Sequence, residues 1–410
     1  MAEILTPSGT DRQVRTPGTP LEVLLVFLKL GLTAFGGPVA HLAYFRVEFV
    51  ERRRWLSEPA YAELVGLCQF LPGPGSSQTG FALGLLRAGP WGAAAAWAGF
   101  TLPSAIIMTG LALASRNLAG SALGAGLLHG LKLVAVAVVA HAVLGMARSL
   151  CPDRTRTAIA VAGTAIVTLA PVSAGQIGAI AVGLGAGILF CRAPALPADS
   201  EHLTLPVSRR TGAACLALFF VLLALPPLLR STSHVLALFD AFYRSGALVF
   251  GGGHVVLPLL RDAVVDPGWV SQNAFLAGYG LVQAMPGPLF TFAAYLGAIL
   301  TPGPSGLAGA AIALLAIFLP GLLLLVGTLP FWNTLRTRPG VQAGLRGVNA
   351  AVVGLLGAAF YNPVWTSAVL RPIDFVLALT GFLLLTVWKL RPLTVVVLGA
   401  AGGMILSAFA

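Results

Sequence analysis

Charge is what this sequence has least of. Only 10% of its 410 residues are Asp, Glu, Lys or Arg, and 57% are hydrophobic; a soluble domain carries roughly 25% charged residues. With a mean hydropathy of +0.89, the chain reads as an integral membrane protein. At about 20 residues per helical crossing it has room for roughly a dozen spans, which excludes a single-span receptor or a surface-bound enzyme. The alternating ten-residue segments of an outer-membrane barrel are missing. So is a basic stretch leading into an apolar core and cleavage site within MAEILTPSGTDRQVRTPGTP, so no cleavable signal is expected. The fold class expected is therefore an all-α polytopic membrane protein, placed in a bacterium in the inner membrane.

Other absences narrow the chemistry. The four cysteines, Cys68, Cys151, Cys191 and Cys215, include no CxxC pair and read as small apolar core residues. Acids within apolar segments reduce to Glu63, Asp240 and Asp374, too few for a metal-cation site built from carboxylates. Neither paired aspartates nor HExxH is present, so no enzyme is expected, and no cofactor or metal is implied. The net charge of +11 comes from basic residues scattered in ones to threes between apolar runs. That is the pattern of positive-inside topology rather than of nucleic-acid binding.

What is present is a duplication. FLKLGLTAFGG (Phe27 to Gly37) matches FYRSGALVFGG (Phe242 to Gly252), with Lys29 against Arg244. Downstream, Trp55 and Ser57 answer Trp269 and Ser271, and Arg46 answers Arg261. QFLPGP (Gln69 to Pro74) answers QAMPGP (Gln283 to Pro288), and GLK (Gly130 to Lys132) answers GLR (Gly344 to Arg346). The expected organisation is a polar tail over 1–20, a first repeat over 21–191, a Pro-rich linker over 192–211 and a second repeat over 212–410. The loop after the first FGG is net positive and its counterpart net negative. Opposite bias in equivalent loops predicts opposite sides of the membrane, hence inverted repeats with an odd number of spans each.

Inverted repeats are the construction of secondary transporters, in which a pair of Gly/Pro-broken segments marks the substrate site. Here that pair is Pro72, Gly73 and Pro74 with Pro286, Gly287 and Pro288. Pro74 and Pro288 are expected in the first turn of half-helices, where a missing N–H costs nothing. The N–H groups just beyond lack intrahelical acceptors and favour an anion. Ser76, Ser77, Gln78 and Thr79 add donors to the first copy. Thr291 repeats the Ser77 position, while Leu289, Phe290 and Phe292 leave the second copy drier. Gln283 precedes the second break as Gln69 precedes the first.

Lys29 and Arg244 lie in apolar stretches, where a cation costs about 2.5–3.5 kcal/mol and calls for a partner, a function or snorkelling. Asp240 stands four residues before Arg244, a favourable helical pair. Leu25 stands at the matching place before Lys29, so Lys29 is read as the anion-seeking charge. Lys132 and Arg346 share the ambiguity. Phe35, Gly36 and Gly37, with Phe250, Gly251 and Gly252, form a second break per repeat. Close approach of substrate and close helix packing both fit it. His41 and His254 flank these breaks without aligning and are read as local polar contacts.

The stretches TAFGGPVAHLAYFRVEFVERRRWLSE from Thr33, QFLPGPGSSQTG from Gln69, VFGGGHVVLPLLRDAVV from Val249 and FLAGYGLVQAMPGPLFTFAAYLGA from Phe275 together resemble the chromate ion transporters of bacteria, in their long two-domain form. The resemblance implies export of chromate driven by the membrane potential or a proton gradient, chromate resistance, and halves of opposite orientation. Its motif positions fall on Phe35 to Pro38, Pro72 to Pro74, Gln78, Phe250 to Gly252 and Pro286 to Pro288. Sulfate or another tetrahedral oxyanion would satisfy the same donors. The coupling ion, protons being one candidate, the sidedness of the termini and the oligomeric state, a homodimer among the options, are left open.

Overall fold

The protein is described from a computed structural model covering residues 18–118, 122–169, 172–191, 207–229, 231–335 and 338–408. Most of the expected tail over 1–20 and of the linker over 192–211 lies outside these residues. Helices dominate, and the described residues contain no strand. In the first half they are α1 (Pro20–Thr33), α2 (Gly37–Arg46), α3 (Glu58–Phe70), α4 (Gly75–Leu118), α5 (Ala122–Leu150), α6 (Arg154–Leu169) and α7 (Val172–Phe190). Then come α8 (Arg209–Leu229), α9 (His234–Ala247), α10 (Val256–Val264), α11 (Gln272–Val282), α12 (Phe292–Ile299) and α13 (Gly306–Thr328). A single turn, α14 (Trp332–Leu335), leads to α15 (Pro339–Ala359), another, α16 (Thr366–Ala368), to α17 (Pro372–Thr386), and α18 (Pro392–Ala408) closes the chain. Five of the helices among the described residues are long and apolar enough to cross a membrane: those over 75–114, 124–150, 209–229, 306–331 and 339–368.

The same local signals start equivalent helices in both halves. Ser57 caps α3 by accepting from Ala60 N at 3.4 Å, and Ser271 caps α11 by accepting from Ala274 N at 3.3 Å. An uncapped first turn costs roughly 1 kcal/mol. Both helices end where the Pro-Gly-Pro breaks begin. After the first break α4 is really two arms, because Ala88 and Gly89 leave helical geometry, Gly89 at φ +63°. The returning arm packs back on the outgoing one, with Gly84 against Gly92. In the second half the corresponding arms are α12 and α13.

The halves exchange helices. α5 packs on α17 and α18 of the second half, and α15 packs on α6 and α7 of the first. Glycines let the backbones approach at both seams, Gly126 and Gly130 facing Gly399 and Gly403, and Gly183 and Gly187 facing Gly347. Without a hydrophobic drive between helices in lipid, this close van der Waals packing is what holds such pairs. Large apolar side chains such as Ile106, Leu169, Phe190, Phe220 and Leu228 are left exposed, as a lipid-facing surface requires. α8 stands before the second half's copy of α1, which is α9, and its exposed face carries Leu218, Phe220, Val221 and Leu225.

Candidate anion site at the paired breaks

Four glycine-bearing breaks meet in the middle of the fold. The Gly73 N–H donates to Val249 O at 2.7 Å, and the Gly287 N–H donates to Ala34 O at 2.9 Å. Val249 and Ala34 are the residues just before the two FGG motifs, so each Pro-Gly-Pro break is tied to the FGG break of the other half. The FGG breaks also adjoin each other, since the space beside Gly253 is closed by Pro38 and Leu289. Gly36, Gly37, Gly73, Gly251, Gly252 and Gly287 all have positive φ, from +72° to +144°, a backbone conformation that side chains disfavour.

The prolines sit one position earlier than expected. The Gln78 N–H donates to Pro74 O and the Thr291 N–H to Pro288 O, so Pro74 and Pro288 are caps rather than first-turn residues. α4 starts at Gly75, and the second copy starts as a 3-10 turn over Leu289–Thr291. The N–H groups of Gly75, Ser76 and Ser77 therefore precede the first acceptor within the helix.

Ser76, Ser77, Gln78 and Thr79 are all buried, and their side chains differ in what they meet. Thr79 Oγ1 donates back to Gly75 O at 2.8 Å. Ser76 Oγ lies 3.3 Å from His41 Nδ1, and His41 Nε2 lies 3.2 Å from Ala34 O. His41 thus braces the first break, as a local polar contact. Gln78 Nε2 donates to Pro72 O at 3.1 Å and to Gly321 O at 2.8 Å, which orients the amide and leaves its Oε1 buried without a partner. Ser77 Oγ is likewise buried and unpartnered, and so are Thr101 Oγ1 and Trp97 Nε1 on the returning arm of α4. An unsatisfied buried polar group costs about 1–3 kcal/mol. Three donors and one acceptor are thus left open within one helical hairpin.

The second break is drier. Thr291 is fully buried, but its hydroxyl donates to Pro288 O at 2.9 Å. Phe290 packs at a tilt against Phe318, which in turn meets Trp97 edge-on, with ring centroids 5.5 and 5.7 Å apart. Gln283 Nε2 is buried without a partner, at the end of α11. His254 Nδ1 lies 2.8 Å from the Tyr279 hydroxyl. Pro286, Gly287 and Pro288 are buried, and the carbonyl of Phe100 closes the space beside Gly287.

The basic residues do not join this cluster. Lys29 is exposed on α1 and close enough to Glu48 to act on its carboxyl. Arg244 donates to Asp240 Oδ1 at 2.7 Å and to Leu223 O at 2.9 Å, the pairing read from their spacing. Arg346 donates to Cys191 O at 3.0 Å. Phe35 and Gly36 line a cavity of about 210 Å³ with Thr33, Tyr44 and Arg391. Phe250 packs against the main core. Spacing arguments centred on the breaks missed Trp97, Thr101 and Arg391. The signal for the first two was their place on the arm that returns after the Gly89 kink.

The two halves are not in the same state of closure. On α11, Leu276 and Gly280 are buried, and Gly280 meets the Leu131 carbonyl of α5. On α3 the corresponding Ala62 and Gly66 are exposed, as is Gln69 at the place of Gln283, and nothing stands within 4 Å of where a Gly66 side chain would begin.

The Chromate transporter family model matches residues 21–190 and 236–404, so both halves are copies of one unit and α8 falls between them. The chain is similar to the chromate transport protein of Pseudomonas aeruginosa, 30% identical over 96% of this chain and 94% of that one. It is also similar to a probable chromate transport protein of Synechococcus elongatus, 29% identical over 92% of this chain and 93% of its relative. A chromate transport protein of Cupriavidus metallidurans is 26% identical over 93% and 91% of the two chains. No solved structure matches. A multi-pass helical chain of two homologous halves, matched by this family through both of them, belongs to the chromate transporter family.

Proposed function

We propose that the chain is a secondary transporter that exports chromate across the bacterial inner membrane, with the anion held at the Pro72–Gln78 break. The observation that carries the reading is the unpartnered buried hydroxyl of Ser77 at that break, with two further open donors, Thr101 Oγ1 and Trp97 Nε1, on the returning arm of α4. Chromate is a tetrahedral dianion and accepts from several directions at once. First-turn N–H groups add a dipole contribution of up to about 2 kcal/mol in a partly buried site. The open Gln78 Oε1 suits a water or a proton carried with the anion. Three or four neutral donors hold a dianion without a buried counter-charge, so release is not blocked by a tight ion pair.

An inside-negative potential drives a dianion outward by about 2.3 kcal/mol per charge per 100 mV. The uncovered face of α3 and the covered face of α11 fit one state of an alternating-access cycle, with access along α3 from the side of the basic Arg46–Arg54 loop. Positive-inside bias makes that side cytoplasmic. α8, lying between the matched repeats and long enough to cross, supplies the span that inverts the second repeat if each repeat holds an even number of crossings, in place of the odd number expected with α8 counted within the second half. Lys29, exposed at that entrance, steers anions rather than binding them.

Everted membrane vesicles energised to an inside-positive potential are expected to accumulate chromate, and Ser77→Ala and Thr101→Val to lower the rate at least tenfold with protein level unchanged. Accumulation by wild type that both variants match would remove this site. Competing sulfate tests the ion: sulfate accumulation with none of chromate would replace chromate by sulfate as cargo.

A further inference from the structure

A second polar cavity, of about 950 Å³, opens between α5 and the start of α11 and is lined by His129, Lys132, Trp269, Gln272 and Asn273. Trp269 belongs to the loop that answers the Arg46–Trp55 loop in the other half. With the repeats inverted, that loop and the cavity belong to the opposite side of the membrane from the Arg46–Trp55 loop. Lys132 lines the cavity, ten residues into an apolar helix, and is buried. Its ammonium donates to neutral acceptors, Asn273 Oδ1 at 3.2 Å and Ser367 O at 3.5 Å.

The nearby carboxylate is already engaged. Asp374 accepts from His129 Nε2 at 2.8 Å, from Arg371 N at 2.9 Å and from Leu370 N at 3.2 Å. Gln272 contributes a buried Nε2 donor with no partner. A cation that deep is retained for a partner or a function, and here a charge bonded only to neutral acceptors lines a polar cavity, with Gln272 lining it too. Leu131, one residue before Lys132, is the residue whose carbonyl closes on Gly280. The cavity-lining Lys132 is thus the next residue along α5 from the contact between α5 and α11.

We propose that Lys132 and Gln272 form a second oxyanion subsite in this vestibule, occupied by the anion after the Leu131–Gly280 contact opens and before release. The class of ligand rests on the oxyanion function proposed for the chain. The Asp374 carboxylate keeps the subsite weak, which suits a release station. Arg346, the counterpart of Lys132, donates to the Cys191 carbonyl and to Gln342.

Radiolabelled sulfate, a tetrahedral dianion that does not oxidise protein, is the probe, titrated onto the purified full-length chain in lipid nanodiscs. Ser77→Ala is expected to leave a residual binding component, Lys132→Gln added to it to weaken that component at least tenfold, and Lys132→Arg to preserve it within threefold. Residual binding that Lys132→Gln leaves unchanged, or no residual binding after Ser77→Ala, overturns the subsite. A matching thermal midpoint for the Lys132→Gln and Lys132→Arg variants excludes misfolding as the cause. Failure of the central site reads out separately, as vesicle transport indifferent to Ser77→Ala while Lys132-dependent sulfate binding persists.

Discussion

Gly73 of the first half donates its N–H to the carbonyl of Val249 in the second, at 2.7 Å, and the mirror-image bond from Gly287 to Ala34 spans 2.9 Å. Reciprocal bonds between equivalent positions are what a two-fold relation between halves produces. They also mean that each broken helix is finished by the other half of the chain. In a bilayer core those N–H groups have no water to turn to.

Gly73→Ala and Gly287→Ala should therefore be costly. Both residues have positive φ, +123° and +86°, which disfavours a side chain by roughly 1–2 kcal/mol in the left-handed region. A Cβ would also stand 2.9 Å from Gly321 Cα in the first case and 2.9 Å from Phe100 O in the second. The thermal midpoint of the detergent-purified protein is expected to fall for both, whereas Gly37→Ala, with open space beside it, should lose less. Equal midpoints for all three would contradict the bracing role.

Ser77 and Thr291 occupy the same register and should respond differently. The Ser77 hydroxyl has no partner, so Ser77→Ala removes an unmet group and should leave stability unchanged or raised while transport falls. Thr291 Oγ1 is bonded to Pro288 O, so Thr291→Val should cost about 0.5–1.5 kcal/mol and leave the half-saturating chromate concentration within threefold. Thermal midpoints paired with vesicle kinetics separate the two, and the reverse pattern would shift the site to the second break.

Glu48 sets an acid limit on the charged loop. Burial alone pushes its carboxyl up, but the hydrogen bond from Arg53 and the charges of Arg52, Arg53 and Lys29 outweigh it and hold the group below the usual range. Arg53 Nε and Arg52 Nη1 each lie 2.7 Å from its oxygens. A depressed folded-state pKa means the stabilisation is complete above the ordinary glutamate pKa of about 4.3 and is lost as pH falls through the lower folded value. The wild-type midpoint should drop on acidification below about pH 4.3 more steeply than that of Glu48→Gln; parallel curves would remove Glu48 from the account.

Helical membrane architecture, the duplication and the breaks were legible because composition and a repeated motif are local properties of the chain. The capping serines Ser57 and Ser271 and the Asp240–Arg244 pair are similarly local, and spacing alone marks them. The exchange of α5 and α15 between halves was not legible, since Gly126, Gly130, Gly183 and Gly187 look like any other small-residue stripe until their partners are known. Composition starts the second half at 212, whereas the family match resumes at 236; apolar α8 has no motif to separate it from its neighbours. Lys29 and Lys132 are alike as isolated cations in apolar runs. Only packing distinguishes them, by turning Lys29 outward and Lys132 onto a cavity.

Gly66 offers the sharpest test of the proposed cycle, because the static structure and the cycle disagree about it. Nothing lies within 4 Å of its absent side chain, and it is exposed in mid-helix. Alanine there should raise helix stability by up to about 1 kcal/mol. Its counterpart Gly280 is held against the Leu131 carbonyl, and the residue matching Leu131 in the second half is Leu345. If α15 closes on α3 in the opposite state as α5 closes on α11 here, a methyl group at 66 obstructs a contact that does not yet exist. Gly66→Ala is expected to leave the thermal midpoint equal or higher and to slow vesicle chromate uptake at least fivefold. Gly280→Ala should lower both. Normal uptake by Gly66→Ala would show that α3 stays uncovered throughout, and would confine the moving closure to the α5–α11 side.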